Sequence, residues 1–141
     1  MAAAYLLDTD ICVYIRRRRP ASVRARFEQL DAGEAAISAI SYGELFYGAH
    51  KSERRDHNLR LLEELVRTLP ILPLPALAAE AYGEIRAMLE SRGELIGNND
   101  LWIAAHAMAG SLTLVTNNER EFRRVKGLKL ENWAAARRAP R

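Results

Sequence analysis

Five short apolar runs punctuate the chain: "AAYLL", "AAISAI", "ILPL", "LTLVT" and "LKLEN". Each is long enough for one buried strand and too short for a helix. The segments between them follow a helical period instead. "ICVYI" opens a helix that must end before Pro20, and "SVRARFEQL" is helical up to "DAG". A helix is expected from about Ser41 to Ala49. "DHNLRLLEELVRTL" repeats Leu59, Leu62, Leu65, Val66 and Leu69 at spacings of three or four, as an amphipathic helix does. "ALAAEAYGEIRAMLESRG" stops at Gly93, "DLWIAAHAMAG" is an apolar helix, and "EREFRRV" is a helical turn. Strands alternating with helices require a mainly parallel sheet covered by helices on both faces. Sites in such α/β sheets lie at the carboxyl ends of the strands.

That edge is where the sequence places its acids. Asp8 ends the first run, Glu44 lies in the turn after the second, and Asp100 opens the helix after "IGNN". The fourth run ends in Thr116, Asn118, Glu119 and Glu121. Each acid also has an ordinary structural use. Asp8 or Asp10 can cap the next helix, and Ser41 with Glu44 fits a capping box. Asp100 suits the positive end of its helix. Together they ask for more. Asp100 shares a helix face with Ile103, Ala104 and Ala107, so its carboxylate points toward the sheet edge that holds Asp8. Two carboxylates about 5 Å apart repel by roughly 3 kcal/mol at an effective dielectric of 20. A divalent cation relieves that repulsion, and all-oxygen ligands point to Mg²⁺ or Mn²⁺ rather than zinc.

Composition bounds the partners. With 49% apolar and 28% charged residues, 141 residues suffice for one globular domain. No apolar stretch is long enough to span a membrane, and "MAAAYLL" makes a poor signal peptide. A lone Cys12 fits a reducing cytoplasm. Net charge is only +3, but residues 16–27 hold six arginines and no acid, and residues 120–141 hold eight basic groups against Glu121 and Glu131. Both segments are +6, which leaves the remainder near −9. Such a division suits a phosphate polymer held beside a metal site.

Other chemistries lack their residues. His50, His57 and His106 have no zinc-like spacing with one another or with Cys12, and His106 lies off the Asp100 face. There is no Gly-rich phosphate loop and no nucleophile-elbow serine. Tyr42, Tyr47 and Trp102 are suited to stacking on unpaired bases, although core packing is the commoner use.

The motifs "YLLDTDICVYI", "ISYGELFYGA", "IGNNDLWIAAHA" and "LVTNNEREFRRVKGLKLENW" resemble, in order and spacing, those of PIN-domain ribonucleases, and more narrowly the VapC toxins of bacterial toxin–antitoxin pairs. The resemblance runs from about Tyr5 to Trp133. It implies a PIN-like three-layer α/β/α sandwich over residues 1–133, with residues 134–141 as a basic tail. It also implies a Mg²⁺-dependent endoribonuclease acting on structured RNA such as tRNA. Asp8, Glu44 and Asp100 would form its acidic core and Thr116 would orient water or a phosphate oxygen. A cognate antitoxin, a homodimer and a higher-order toxin–antitoxin complex are implied with it. Many PIN domains carry an Asp two residues beyond the strand-end Thr. Here that residue is Asn118, which leaves Asn118, Glu119 and Glu121 as alternatives for a fourth ligand. Arg16, Arg17, Arg18 and Arg19, with Arg120, Arg123 and Arg124, are expected to grip the RNA backbone.

Two rival readings make different demands. "DTDIC" also fits the D-x-D nucleophile motif of haloacid-dehalogenase-type phosphatases, with Asp8 attacking and Asp10 as acid, but the downstream lysine and paired-Asp motif are missing. A non-catalytic RNA- or protein-binding module would use the same acids only as helix caps.

Overall fold

A computed structural model describes residues 2–135. Five parallel strands form the sheet: β1 (Tyr5–Leu7), β2 (Ala35–Ser38), β3 (Ile71–Leu72), β4 (Thr113–Val115) and β5 (Leu130–Glu131). Their order is β3-β2-β1-β4-β5, so the first strand is central. Parallel neighbours require crossovers, and helices supply them. These are α1 (Thr9–Arg17), α2 (Ala21–Glu28), α3 (Ala39–Lys51), α4 (Arg55–Thr68), α5 (Ala76–Ser91), α6 (Asn98–Ala109) and α7 (Glu119–Phe122).

The strand period of two sorts the core into two layers. Leu7 and Val115 pack on one face with Ile11, Ile15, Val23, Leu45 and Leu62 from α1 to α4. Leu6 and Leu114 turn to the other face and meet Leu89, Leu101, Ile103, Ala104 and Phe122 from α5, α6 and α7. Leu6, Leu7, Leu114 and Val115 are all 0% exposed, and burying each side chain contributes roughly 1.5–3 kcal/mol. The expected three layers are therefore present. Gly93 ends α5 as expected, with φ +66° and a backbone bond from Glu94 N to Leu89 O.

Trp133 closes the first core layer, 5% exposed and edge-on to Tyr5 at 5.6 Å between ring centroids. Beyond it, only Ala134 and Ala135 of the basic tail are described, and the rest of that segment lies outside the described residues. No helix among the described residues is long and apolar enough to cross a membrane.

One boundary departs from expectation. Helix α3 begins at Ala39, and its cap is Ser38, whose Oγ accepts from Ile40 N at 3.2 Å. The Ser41–Glu44 capping box does not form. Ser41 lies inside the first turn with its hydroxyl buried and unpartnered, and Glu44 stands further along the helix. Ser38 wins because it sits where the chain leaves its extended conformation (ψ 148°), as an N-cap must.

Candidate active site

The carboxyl ends of β1 and β4, side by side in the sheet, start the site. Asp8 follows β1 directly and caps α1, its Oδ1 accepting from Thr9 N at 2.8 Å. Its other oxygen, Oδ2, accepts from Thr116 Oγ1 at 2.8 Å. Thr116 follows β4, is fully buried, and accepts in turn from Asn118 N at 2.9 Å. Thr9 Oγ1 donates to Glu44 Oε1 at 2.9 Å, which brings α3 to the same edge. Asp100 arrives from the first turn of α6.

The electrostatics register the convergence. Burial, with only 6% of the residue exposed, and then the Asp10 charge push the Asp8 carboxyl up to about 7. The bonds from Thr116 and Thr9 oppose that rise. Asp100 is pushed up to about 6, first by burial and then by the charges of Glu121, Glu44 and Asp10. Burial also raises Asp10. Among the described residues, none of these five acids takes part in a salt bridge with Lys or Arg. Negative charge accumulates here without an ion-paired cation among the described residues to offset it.

Asp10 is not the helix cap, although it lies in the first turn of α1. Asp8 takes the cap, and Asp10 Oδ2 accepts from Asn117 N at 3.1 Å, fastening the loop after β4. Its Oδ1 is buried with no partner.

At the fourth position the candidates separate. Glu121 is near enough to raise Asp100, and its Oε2 accepts from Asn118 Nδ2 at 3.1 Å. Glu119 is engaged elsewhere, accepting from Asn132 Nδ2 at 3.0 Å and lying 3.4 Å from Arg123 Nη2. Asn118 links Thr116 to Glu121.

The donor set suits a hard cation. It consists of carboxylate and hydroxyl oxygens, and one carboxylate oxygen is buried without a partner. Cys12, beside Asp8 and Asp10, stays a thiol because burial and those charges push its pKa far up. Among the described residues no three His, Cys, Asp or Glu side chains form a ready ligand group. An ion held here would keep water in its shell, as Mg²⁺ does.

Other selected residues lie apart from this cluster. Arg16 to Arg19 are at the far end of α1, about 13 Å along the helix from Asp8. Arg16 and Arg18 instead border a cavity with Arg24, Phe27 and Leu61. Arg120 is exposed beside the loop after β4, Arg123 pairs with Glu119, and Arg124 donates to the carbonyls of Glu94 and Leu95 at 3.3 and 3.4 Å. His106 is buried outside the cluster. Trp102 stacks on Tyr82 with centroids 3.9 Å apart, while Tyr42 packs against Phe46.

Comparison with known proteins gives the family. The PIN domain profile matches residues 5–128. Ribonuclease VapC2 of Haemophilus influenzae is 46% identical over 129 residues, covering 92% of this chain and 97% of that protein. The tRNA(fMet)-specific endonuclease VapC of Shigella flexneri is 44% identical over 130 residues, covering 92% and 98%. The crystal structure of VapBC2 from Rickettsia felis bound to a DNA fragment from their promoter contains a similar chain. It superposes with a TM-score of 0.85 at 45% identity, over 92% of this chain and 98% of that one. The fold, the order of the motifs and the relatives agree: this chain belongs to the PIN-domain family and groups within it with the VapC proteins.

Proposed function

We propose that this chain is the ribonuclease toxin of a toxin–antitoxin pair, a Mg²⁺-dependent endonuclease that hydrolyses a phosphodiester bond in tRNA. The carboxylate cluster carries the reading: Asp8, Asp10, Glu44, Asp100 and Glu121 approach one another without a paired Lys or Arg among the described residues, and burial and mutual repulsion raise Asp8 and Asp100. The relatives named as a ribonuclease and a tRNA(fMet)-specific endonuclease support the substrate class.

Asp8 and Asp100 hold the ion directly, and Glu44 is a ligand or orients a water beside it. Mn²⁺ substitutes for Mg²⁺. When bound, the cation would lower the pKa of a nearby water and offset charge on the phosphate. The protein groups prepare that chemistry. Thr116 keeps Asp8 oriented and favours its ionised form, and Thr9 holds Glu44 beside α1. Glu121, steadied by Asn118, fills the fourth position. Attack by water leaves a 5′-phosphate and a 3′-hydroxyl. Arg120, exposed beside the loop after β4, meets the RNA backbone nearest the site, while Arg124, held on the carbonyls of Glu94 and Leu95, meets it farther off. Arg16 to Arg19 and Arg123 contact more distant phosphates.

The toxin works in the cytoplasm as a homodimer, and a cognate antitoxin silences it within a larger complex. Structures of VapBC complexes from Rickettsia felis and Salmonella typhimurium support the partnership.

The test is cleavage of end-labelled tRNA by purified, antitoxin-free protein. Mg²⁺-dependent products with 3′-hydroxyl ends, lost with EDTA and with Asp100→Asn, are expected. A 2′,3′-cyclic phosphate product would overturn the mechanism. Cleavage that survives both EDTA and the substitution would overturn the site.

A further inference from the structure

One buried titratable group plays no part in this chemistry. His106, 3% exposed, lies on α6 six residues beyond Asp100. Its Nδ1 is 2.8 Å from Ser38 Oγ, a fully buried hydroxyl. Ser38 is the residue that starts α3, the helix carrying Glu44. This single bond therefore joins the helix bearing Asp100 to the N-cap of the helix bearing Glu44, across 68 positions of sequence.

The junction lies where charge opposes packing. The Glu44 carboxylate is among the charges that disfavour ionisation of Asp100. Before any cation arrives, repulsion between the two acids works to separate α3 from α6. Ser38 resists because its Oγ is occupied on both sides: it accepts from Ile40 N and pairs with the imidazole. Burial lowers the His106 pKa, so the ring is neutral at pH 7 and adds no charge of its own.

We infer that His106 is a positioning residue for the cleavage reaction: through Ser38 it fixes α3 against α6 and so sets the separation of Glu44 from Asp100. The inference rests on the nuclease reading above. A buried histidine that only fills the core would support stability alone, whereas a positioning residue controls turnover in the folded protein.

Steady-state cleavage of tRNA at saturating Mg²⁺ separates the two, using the full chain as wild type, His106→Phe, His106→Asn and Ser38→Ala, each checked by thermal melt. The phenylalanine keeps a ring but cannot bond to Ser38, and kcat is expected to fall about ten- to a hundredfold while KM holds. Asparagine places an amide near the Nδ1 position and is expected to restore most of the rate. Ser38→Ala removes the same bond from the other side together with the cap bond to Ile40 N, so the double variant should be no worse than Ser38→Ala alone. If the phenylalanine variant fails to fold, Ser38→Ala against His106→Asn carries the comparison. Wild-type kcat in folded His106→Phe or Ser38→Ala overturns the inference, as does an asparagine variant no better than phenylalanine. If wild type cleaves no tRNA, the nuclease reading falls and takes this inference with it. If wild type cleaves and the variants match it, only the role of His106 falls.

Discussion

Thr116 Oγ1 donates a 2.8 Å hydrogen bond to Asp8 Oδ2 across 108 positions of sequence, and both side chains are buried. Among the hydrogen bonds that favour ionised Asp8, this one has the largest effect. Thr116→Val keeps the shape and removes the donor. A hydrogen bond to a charged group is worth about 1.5–3 kcal/mol. The Asp8 midpoint, followed by carboxyl NMR in metal-free protein, should therefore rise above its present value of about 7. Cleavage at pH 7 should drop about tenfold or more. Thr116→Ser should keep both properties, and a valine variant with normal cleavage would remove Thr116 from the site.

Metal-free stability should fall as pH rises. Asp8 and Asp100 ordinarily ionise near 3.8, but reach about 7 and about 6 in the fold. Between those limits the folded chain binds more protons than the unfolded one, so stability falls as pH increases. His106, lowered by burial, acts in the opposite direction below its ordinary value of 6.5. The carboxylates outnumber it, so in EDTA the melting temperature should be at least about 5 °C higher at pH 5 than at pH 8. Asp100→Asn should flatten that slope. Mg²⁺ should stabilise wild type most at pH 8, where the cluster is fully charged. A melting temperature that rises steadily with pH in EDTA would contradict the electrostatic picture.

Glu121 and Glu119 should behave differently when each is neutralised. Glu121 contributes to the potential at Asp100, while Glu119 is held by Asn132 and Arg123. Glu121→Gln should weaken Mn²⁺ binding, measured by calorimetry, and lower cleavage about tenfold. Glu119→Gln should leave both nearly unchanged. The reverse result would transfer the fourth position to Glu119.

Length of RNA should separate the two groups of arginines. Arg120 lies beside the loop after β4, so Arg120→Ala should weaken binding of even a short single strand. The log–log slope of affinity against salt should flatten by about 0.7 for each phosphate no longer neutralised. Arg17 and Arg18 stand about 13 Å away along α1. Their double alanine variant should weaken binding of whole tRNA but not of a trinucleotide. Equal loss on both substrates would mean that the arginine run reaches the cleavage site.

The architecture was legible because helix and strand periods differ, and Leu6 and Leu7 sort to opposite faces as a strand must. Asp8 and Asp100 could be selected because one follows a strand and the other lies in the first turn of a helix, whereas Glu44, read in the turn after the second run, lies inside α3. What stayed hidden depended on pairing over long distances. Asp10 looks like a helix cap until an amide 107 residues away, that of Asn117, is seen to need it. Ser38 and Ser41 both precede helical sequence, and only the backbone shows which one begins the helix. Glu119 and Glu121 both follow the fourth run within five residues of Thr116, and Asn132 with Arg123 distinguishes them. His106 gave no sign beyond sitting off the Asp100 face, since its partner is 68 positions upstream.

The placement of β1 between β2 and β4 has a consequence for how the protein is made. Residues 5–7 leave the ribosome long before residues 113–115, with which they pair. Asp8 waits for Thr116, and Asp10 waits for the amide of Asn117. A nascent chain that has emerged only through α5 contains neither Asp100 nor Thr116, so it cannot assemble the acidic centre. The acidic centre therefore assembles only after the segment carrying Asp100 and Thr116 has followed β1 out of the ribosome.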